Sequence, residues 1–259
     1  MNLIQRMHLV ALGTIVAKEV LRFIRIWIQT IVPAVITTSL YFVIFGKLVG
    51  SRIGEMEGFS YIDYIIPGII MMSVITNSYS NVVSSFFSAK FQRHVEEMLV
   101  SPMPNHMILL GYVLGGVARG MTVGMAVTLV AMIFTDLHID NYLVTFSIAL
   151  LTAFLFSIGG FINALFAKSF DDISIIPTFV LTPLTYLGGI FYTIKLLPEF
   201  WQSVSLFNPI LYMVNAFRAG ILGVSDIGLP TAFAIITVFI VLFFSIALGL
   251  LNRGIGIRS

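Results

Sequence analysis

Residues 90–104 read KFQRHVEEMLVSPMP and bring Lys90, Arg93, His94, Glu96 and Glu97 together between two long apolar runs. Lys90, Arg93, Glu96 and Glu97 recur at spacings of three and four, which sets opposite charges side by side on one face of a helix. Met98, Leu99 and Val100 follow as an apolar tip, and Pro102 and Pro104 end the segment. A short mixed-charge helix with an apolar tip is what docking into a groove on another protein requires; a solvated loop fits the same spacing. The histidines His8, His94, His106 and His138 are scattered, and no phosphate loop, HExxH, GxSxG or EF-hand pattern occurs. No catalytic residue, no metal site and no cofactor in this chain are therefore expected. Arg119 sits deep in an apolar run, where an ionisable group is a functional candidate by default. It either lines a transport path or is neutralised by carbonyls and a partner helix as a structural lock.

The elements that position these residues follow from composition. Hydrophobic residues are 58% of the 259 and charged ones 10%, with a mean hydropathy of +1.02, whereas soluble domains carry about 25% charged residues. Lipid must cover most of such a surface. The net charge of +2 is too small to imply nucleic acid, and the absence of cysteine removes disulfides and thiolate chemistry. No cleavable signal peptide is expected, because bases run through the first 26 residues.

A span needs roughly 20 apolar residues, and segments of about 27–49, 64–88, 107–134, 142–167 and 230–251 meet this. A sixth, 172–193, contains Pro177, Pro183 and Gly188-Gly189 and is expected to be kinked. The fold class is an all-α integral membrane protein with six transmembrane helices. With the N-terminus inside, Arg6, Lys18, Arg22, Arg25, Lys90, Arg93, Lys168, Arg253 and Arg258 face inward, against Lys47, Arg52, Lys195 and Arg218 outward. Nine bases to four put both termini in the cytoplasm.

Residues 1–26 read as an interfacial amphipathic helix, with Thr14, Lys18, Arg22 and Arg25 opposite Leu9, Leu12, Val16, Val20 and Ile24. It serves as a lipid-surface anchor or as a mechanical link to the first span. Residues 195–228 hold two short apolar helices divided at Asn208-Pro209, re-entrant from the outer side or forming an outer cap. Gly116, Gly120 and Gly124, with Gly111 and Gly115 beside them, allow close helix approach, within one subunit or at a dimer face.

The stretch RHVEEMLVSPMPNHMILLG resembles the cytoplasmic coupling helix and following span of the type-2 ABC exporter permeases, with Glu96 and Pro102 at the family's acid and proline. Residues 181–223 resemble the family's signature around its fifth span and re-entrant helices, with landmarks at Pro183, Gly188, Gly189, Phe191, Leu197, Pro198, Asn208, Pro209 and Arg218. IIPGIIMM, with Pro67-Gly68, is a third match. One departure is Met98, where the family often has leucine.

The resemblance implies the permease subunit of an ATP-driven exporter in a bacterial inner membrane. ATP and Mg would be bound by a separate ATP-binding subunit, one under each of two permease copies. Arg93, Glu96, Glu97, Met98 and Leu99 would contact that subunit. The second and fifth spans would line the path, with Ser73, Asn77, Thr178, Thr182 and Tyr186 touching cargo; ordinary hydrogen bonding between helices is the alternative for each. Cargo would be hydrophobic or amphipathic: a lipid, a drug or a glycan-like molecule. The partners expected are thus this ATP-binding subunit, a second copy of the chain and membrane lipids. An ion-coupled secondary transporter is the rival reading and would need a buried acid, which the sequence does not display; a non-transporting scaffold is the other.

Overall fold

A computed structural model describes residues 3–257; Arg258 and the Lys47 side chain, both counted above as bases, lie outside the described part. The chain is almost entirely helical. α1 (Leu3–Arg25) is followed, after a break at Ile26, by α2 (Trp27–Thr30), α3 (Val32–Tyr41), a π-helical stretch (Phe42–Val49) and α4 (Gly50–Ile53). A two-residue hairpin, β1 (Glu55–Met56) with β2 (Phe59–Ser60), leads into α5 (Tyr61–Phe91), then α6 (His94–Val100), α7 (Asn105–Phe134) and α8 (Tyr142–Phe166). Among the described residues, four helical segments are long and apolar enough to cross a bilayer: Trp27–Ile53, Asn105–Phe134, Tyr142–Phe166 and Leu229–Asn252.

α5 is the axis of the bundle. Its 31 residues rise about 46 Å. Ser60 caps its start by accepting from the Asp63 N–H at 3.3 Å. α7 lies against it through Gly116, Gly120 and Gly124, where an added Cβ would strike Val82, Ser78 or Val74. α8 approaches through Gly160, whose Cβ would meet the Tyr79 carbonyl. The glycine row is therefore filled by packing within this chain.

Gly111 and Gly115 seat α1, since a Cβ at either would strike Ile15 or Glu19. The row Ile15, Glu19, Phe23 is buried, while Leu9 and Ile24 of the expected apolar face are exposed. α1 thus docks along α7 by a row between its two expected faces, because only glycine on α7 lets a second backbone come that near.

The expected span 172–193 is helical only over residues 172–186: α9 (Asp172–Ile176), a π-helical stretch (Pro177–Leu181) and α10 (Thr182–Tyr186). Fifteen residues rise about 22 Å, short of the roughly 30 Å hydrocarbon core. Pro177 and Pro183 cannot donate to the ladder, and Gly189 at φ +72° turns the chain away. A 3₁₀ turn (Ile194–Leu196) precedes α11 (Glu199–Leu206) and α12 (Pro209–Leu222). The division falls at Asn208, whose side chain accepts from the Ile210 N–H at 3.0 Å and donates to the Leu184 carbonyl at 2.6 Å. α13 (Leu229–Asn252) completes the bundle.

Candidate functional site

Most of α5 is closed off by its neighbours, but Met72, Thr76, Ser80, Ser84 and Ser88, spaced by four, stay partly open. These sixteen residues of rise make a stripe about 24 Å long. Thr76, Ser84 and Ser88 donate to the carbonyls four residues back at 2.9, 2.7 and 2.7 Å. Their donors are satisfied by the helix itself, which leaves oxygen lone pairs facing outward. The broken helix borders one flank: Met72 and Thr76 join Leu181, Thr182 and Tyr186 around a cavity of about 160 Å³.

The expected path residues divide across this geometry. Thr178, Thr182 and Tyr186 are exposed on the broken helix, and Thr182 donates to the Pro177 carbonyl at 2.9 Å. Asn77 is half-buried at the stripe's other flank. Ser73 is buried, donates to the Ile69 carbonyl at 3.1 Å and does not reach this face. Thr76, exposed on this face, was not singled out in the sequence, although the spacing of four from Met72 to Ser88 marks the stripe it belongs to.

Two arginines stand on the Asn77 flank. Arg119 of α7 donates from Nη2 to Asn77 Oδ1 at 3.2 Å. Arg22 of α1 donates from Nη2 to Asn81 Oδ1 at 2.7 Å and to the Asn81 carbonyl at 3.0 Å, one turn further along α5. The expectation that no acid is buried is corrected by Glu19, which is fully buried. Ser85 Oγ donates to its Oε1 at 2.6 Å, and Arg22 Nε lies 3.4 Å from Oε2, an ion pair whose N–H is not aimed at the oxygen. This carboxylate closes on its own arginine and serine, so it is not a free ligand for a travelling ion. Glu19 escaped notice because its neighbours in sequence form a basic face.

At the opposite end of α5 the charged turn differs from the sequence reading in one respect. Lys90 does not share a face with Arg93: α5 runs on to Phe91, and Arg93 at φ +62° breaks the helix. The Lys90 ammonium instead donates to the carbonyls of Ala164, Leu165 and Ala167 at 3.3, 2.7 and 2.7 Å. These are end carbonyls of α8 with no helical donor, which a cation satisfies well. α6 anchors by buried Val95; Arg93, Glu96 and Glu97 are exposed, Met98 and Leu99 are half-buried against the core, and Val100 is 86% exposed. Lys90, Arg93, Glu96 and Lys168 line a depression of about 640 Å³ rimmed by Phe91 and Phe166. His8 of α1 shares a hydrogen bond of 3.0 Å with the Pro102 carbonyl, tying α1 to the same turn.

A second polar knot joins the hairpin to the far end of the bundle. Lys195 Nζ lies 3.1 Å from Glu57 Oε1 and 3.1 Å from Asp226 Oδ1. Hydrogen bonds to Asp226 and then Glu57 raise its pKa above the ordinary 10.5. Beneath it Arg218, counted above as an outer base, is 1% exposed. Its guanidinium stacks 4.0 Å from the Tyr64 ring and donates to the Gly189 carbonyl at 2.6 Å.

The described residues thus form an α-helical bundle with several helices long and apolar enough to cross a membrane. The model of the ABC-2 type transporter family matches residues 10–222, and the chain belongs to that family, as a membrane subunit and not an enzyme in its own right. It is 58% identical over 255 residues to the inner membrane transport permease YadH of Escherichia coli (strain K12), covering 98% of this chain and all of that protein. It is also 23% identical over 209 residues to nodulation protein J of Rhizobium leguminosarum bv. viciae, covering 80% of this chain and 81% of that one.

Proposed function

We propose that the chain is the permease subunit of an ATP-driven exporter in a bacterial inner membrane. Two copies work with two copies of a separate subunit that binds ATP and Mg and hydrolyses the nucleotide. The segments Trp27–Ile53, α5, α7, α8 and α13 make five crossings and residues 172–193 the sixth, its helical part of about 22 Å continued by the non-helical turn after Tyr186, with α1 at the inner interface and both termini in the cytoplasm. The nine-to-four distribution of bases supports this orientation, and the name of the 58% identical relative supports the membrane. α11 and α12 are then the re-entrant pair closing the outer end.

The observation that carries this reading is the joint at Lys90. Exposed Arg93, Glu96 and Glu97 sit on a turn that buried Val95 and the Lys90 clamp hold against the ends of α5 and α8. A push on that turn by an ATP-binding subunit, with Met98 and Leu99 in support, moves α5 and α8 as rigid bodies. α5 presents its polar stripe, and the broken helix presents Thr178, Thr182 and Tyr186, to a path between the two copies. Lipids, drugs and glycan-like amphiphiles fit a path with one polar stripe between apolar walls.

Co-purification in detergent with the ATP-binding subunits of the same cell tests the reading. Capture of an ATPase by the wild type and its loss in Glu96→Lys plus Glu97→Lys, with the bundle still folded, is the expected result. If no ATPase binds the folded wild type, or if the double variant binds it as well, the docking role is wrong.

A further inference from the structure

Arg119 carries the least compensated charge in the described part of the bundle. Its only hydrogen bond is to the neutral Asn77 amide at 3.2 Å, its Nε is buried with no partner, and no described carboxylate lies within ion-pair distance. The charged group acting on it is Arg22, of the same sign. Arg119 is half-buried, and a guanidinium so placed keeps a desolvation penalty that an anion would relieve. Glu19 is spent on Arg22, which leaves the pair of arginines with one net positive charge. Asn77, half-buried beside the open serine stripe, and Asn81, fully buried one turn further along α5, hold the two guanidinium groups by their amide oxygens. Lys18 and Arg25 are exposed on the same side of α1 as Arg22 and line one depression with it.

Arginine presents planar N–H pairs suited to phosphate oxygens. The hydroxyls of the α5 stripe spend their protons on the helix carbonyls, so the two guanidinium groups are the donors available to an anion there, and the walls beyond are apolar. We infer that Arg119 and Arg22 form an anion-binding subsite that takes the phosphate head group of an amphiphile, its apolar tail lying along the bundle. This rests on the α5 stripe facing the path; the recognition itself needs no ATPase.

The permease purified in a neutral maltoside detergent can be titrated with monododecyl phosphate, inorganic phosphate and dodecyltrimethylammonium, reading affinity from ligand-induced thermal stabilisation. Monododecyl phosphate is expected to bind, and Arg119→Gln to weaken it by about tenfold or more, as for loss of a charge-assisted contact. Asn77→Asp, which keeps the shape and supplies the missing carboxylate, should weaken binding equally while leaving the free protein at least as stable. That variant keeps the test decisive if Arg119→Gln does not fold. Inorganic phosphate binding as tightly as monododecyl phosphate would replace the amphiphile by a free anion, and so overturn the proposal. Equal binding of the cationic amphiphile, or unchanged affinity in Asn77→Asp, would also overturn it. If monododecyl phosphate binds as expected but no ATPase docks, the subsite stands and the exporter reading fails.

Discussion

Ser85 of α5 donates a 2.6 Å hydrogen bond to Glu19 of α1, 66 residues earlier in the chain, where the carboxylate is fully buried over Gly115. α1 is thereby fastened to the bundle's axis. Breaking a fully buried ion pair costs roughly 3–5 kcal/mol. The Arg22 side chain is 29% exposed, so water compensates part of its loss. Glu19→Ala should cost about 2 kcal/mol of stability, read as thermal unfolding of the purified permease. The double variant Glu19→Gln with Arg22→Gln should recover most of it, because the serine keeps an acceptor and no charge is stranded. A Glu19→Ala protein as stable as the wild type would show that the pair fastens nothing.

Glycine positions make an internally controlled test of the packing. Gly120→Ala drives a methyl group into Ser78, and overpacking of this kind costs about 1–3 kcal/mol. Gly13→Ala, in α1, meets nothing within 4 Å and should add up to about 1 kcal/mol through helix propensity. The melting temperature should therefore fall in one variant and hold or rise in the other. The same direction in both would contradict the assignment of α7's glycine row to α5.

The apolar runs, the glycine row and the Asn208-Pro209 division were legible in the sequence, because each rests on local composition or on a backbone rule. Glu19 and Lys90 were not. Each reads as a member of a polar helical face, and its actual fate is set by Ser85 or by Ala164, Leu165 and Ala167, far along the chain. Helical periodicity reports which side of a helix is polar, not which neighbouring backbone comes near enough to bury it. The π-helical turn at Pro177–Leu181 and the early end at Tyr186 were hidden for a related reason. Proline and glycine announce a break, but packing against α5 and α12 decides where the chain turns.

Lys90→Met should separate clamping from docking. It strips a donor from three carbonyls at the end of α8 while leaving Arg93, Glu96 and Glu97 in place. The expected cost is about 1–2 kcal/mol, and amide exchange across residues 164–168 should quicken. Capture of the ATP-binding subunit should persist while transport-linked ATP turnover falls. Unchanged turnover in a reconstituted complex would show that force does not travel through this joint.

The contact of Lys195 with Glu57 and Asp226 yields a prediction in pH. Hydrogen bonding to Asp226 and Glu57 raises the lysine pKa above 10.5 in the folded protein. A raised lysine value means that the pair's contribution is fully present below the unfolded value and is lost as pH climbs through the folded one. The difference in thermal stability between wild type and Lys195→Met should hold constant from about pH 7 to about pH 10, and shrink only above that. High salt should shrink it at every pH, because the pair is solvent-exposed. If the difference already vanishes near pH 9 in low salt, Lys195 is not held by these carboxylates. The hairpin at Glu55–Ser60 and the loop before α13 would then be free to part without breaking an ionic tie.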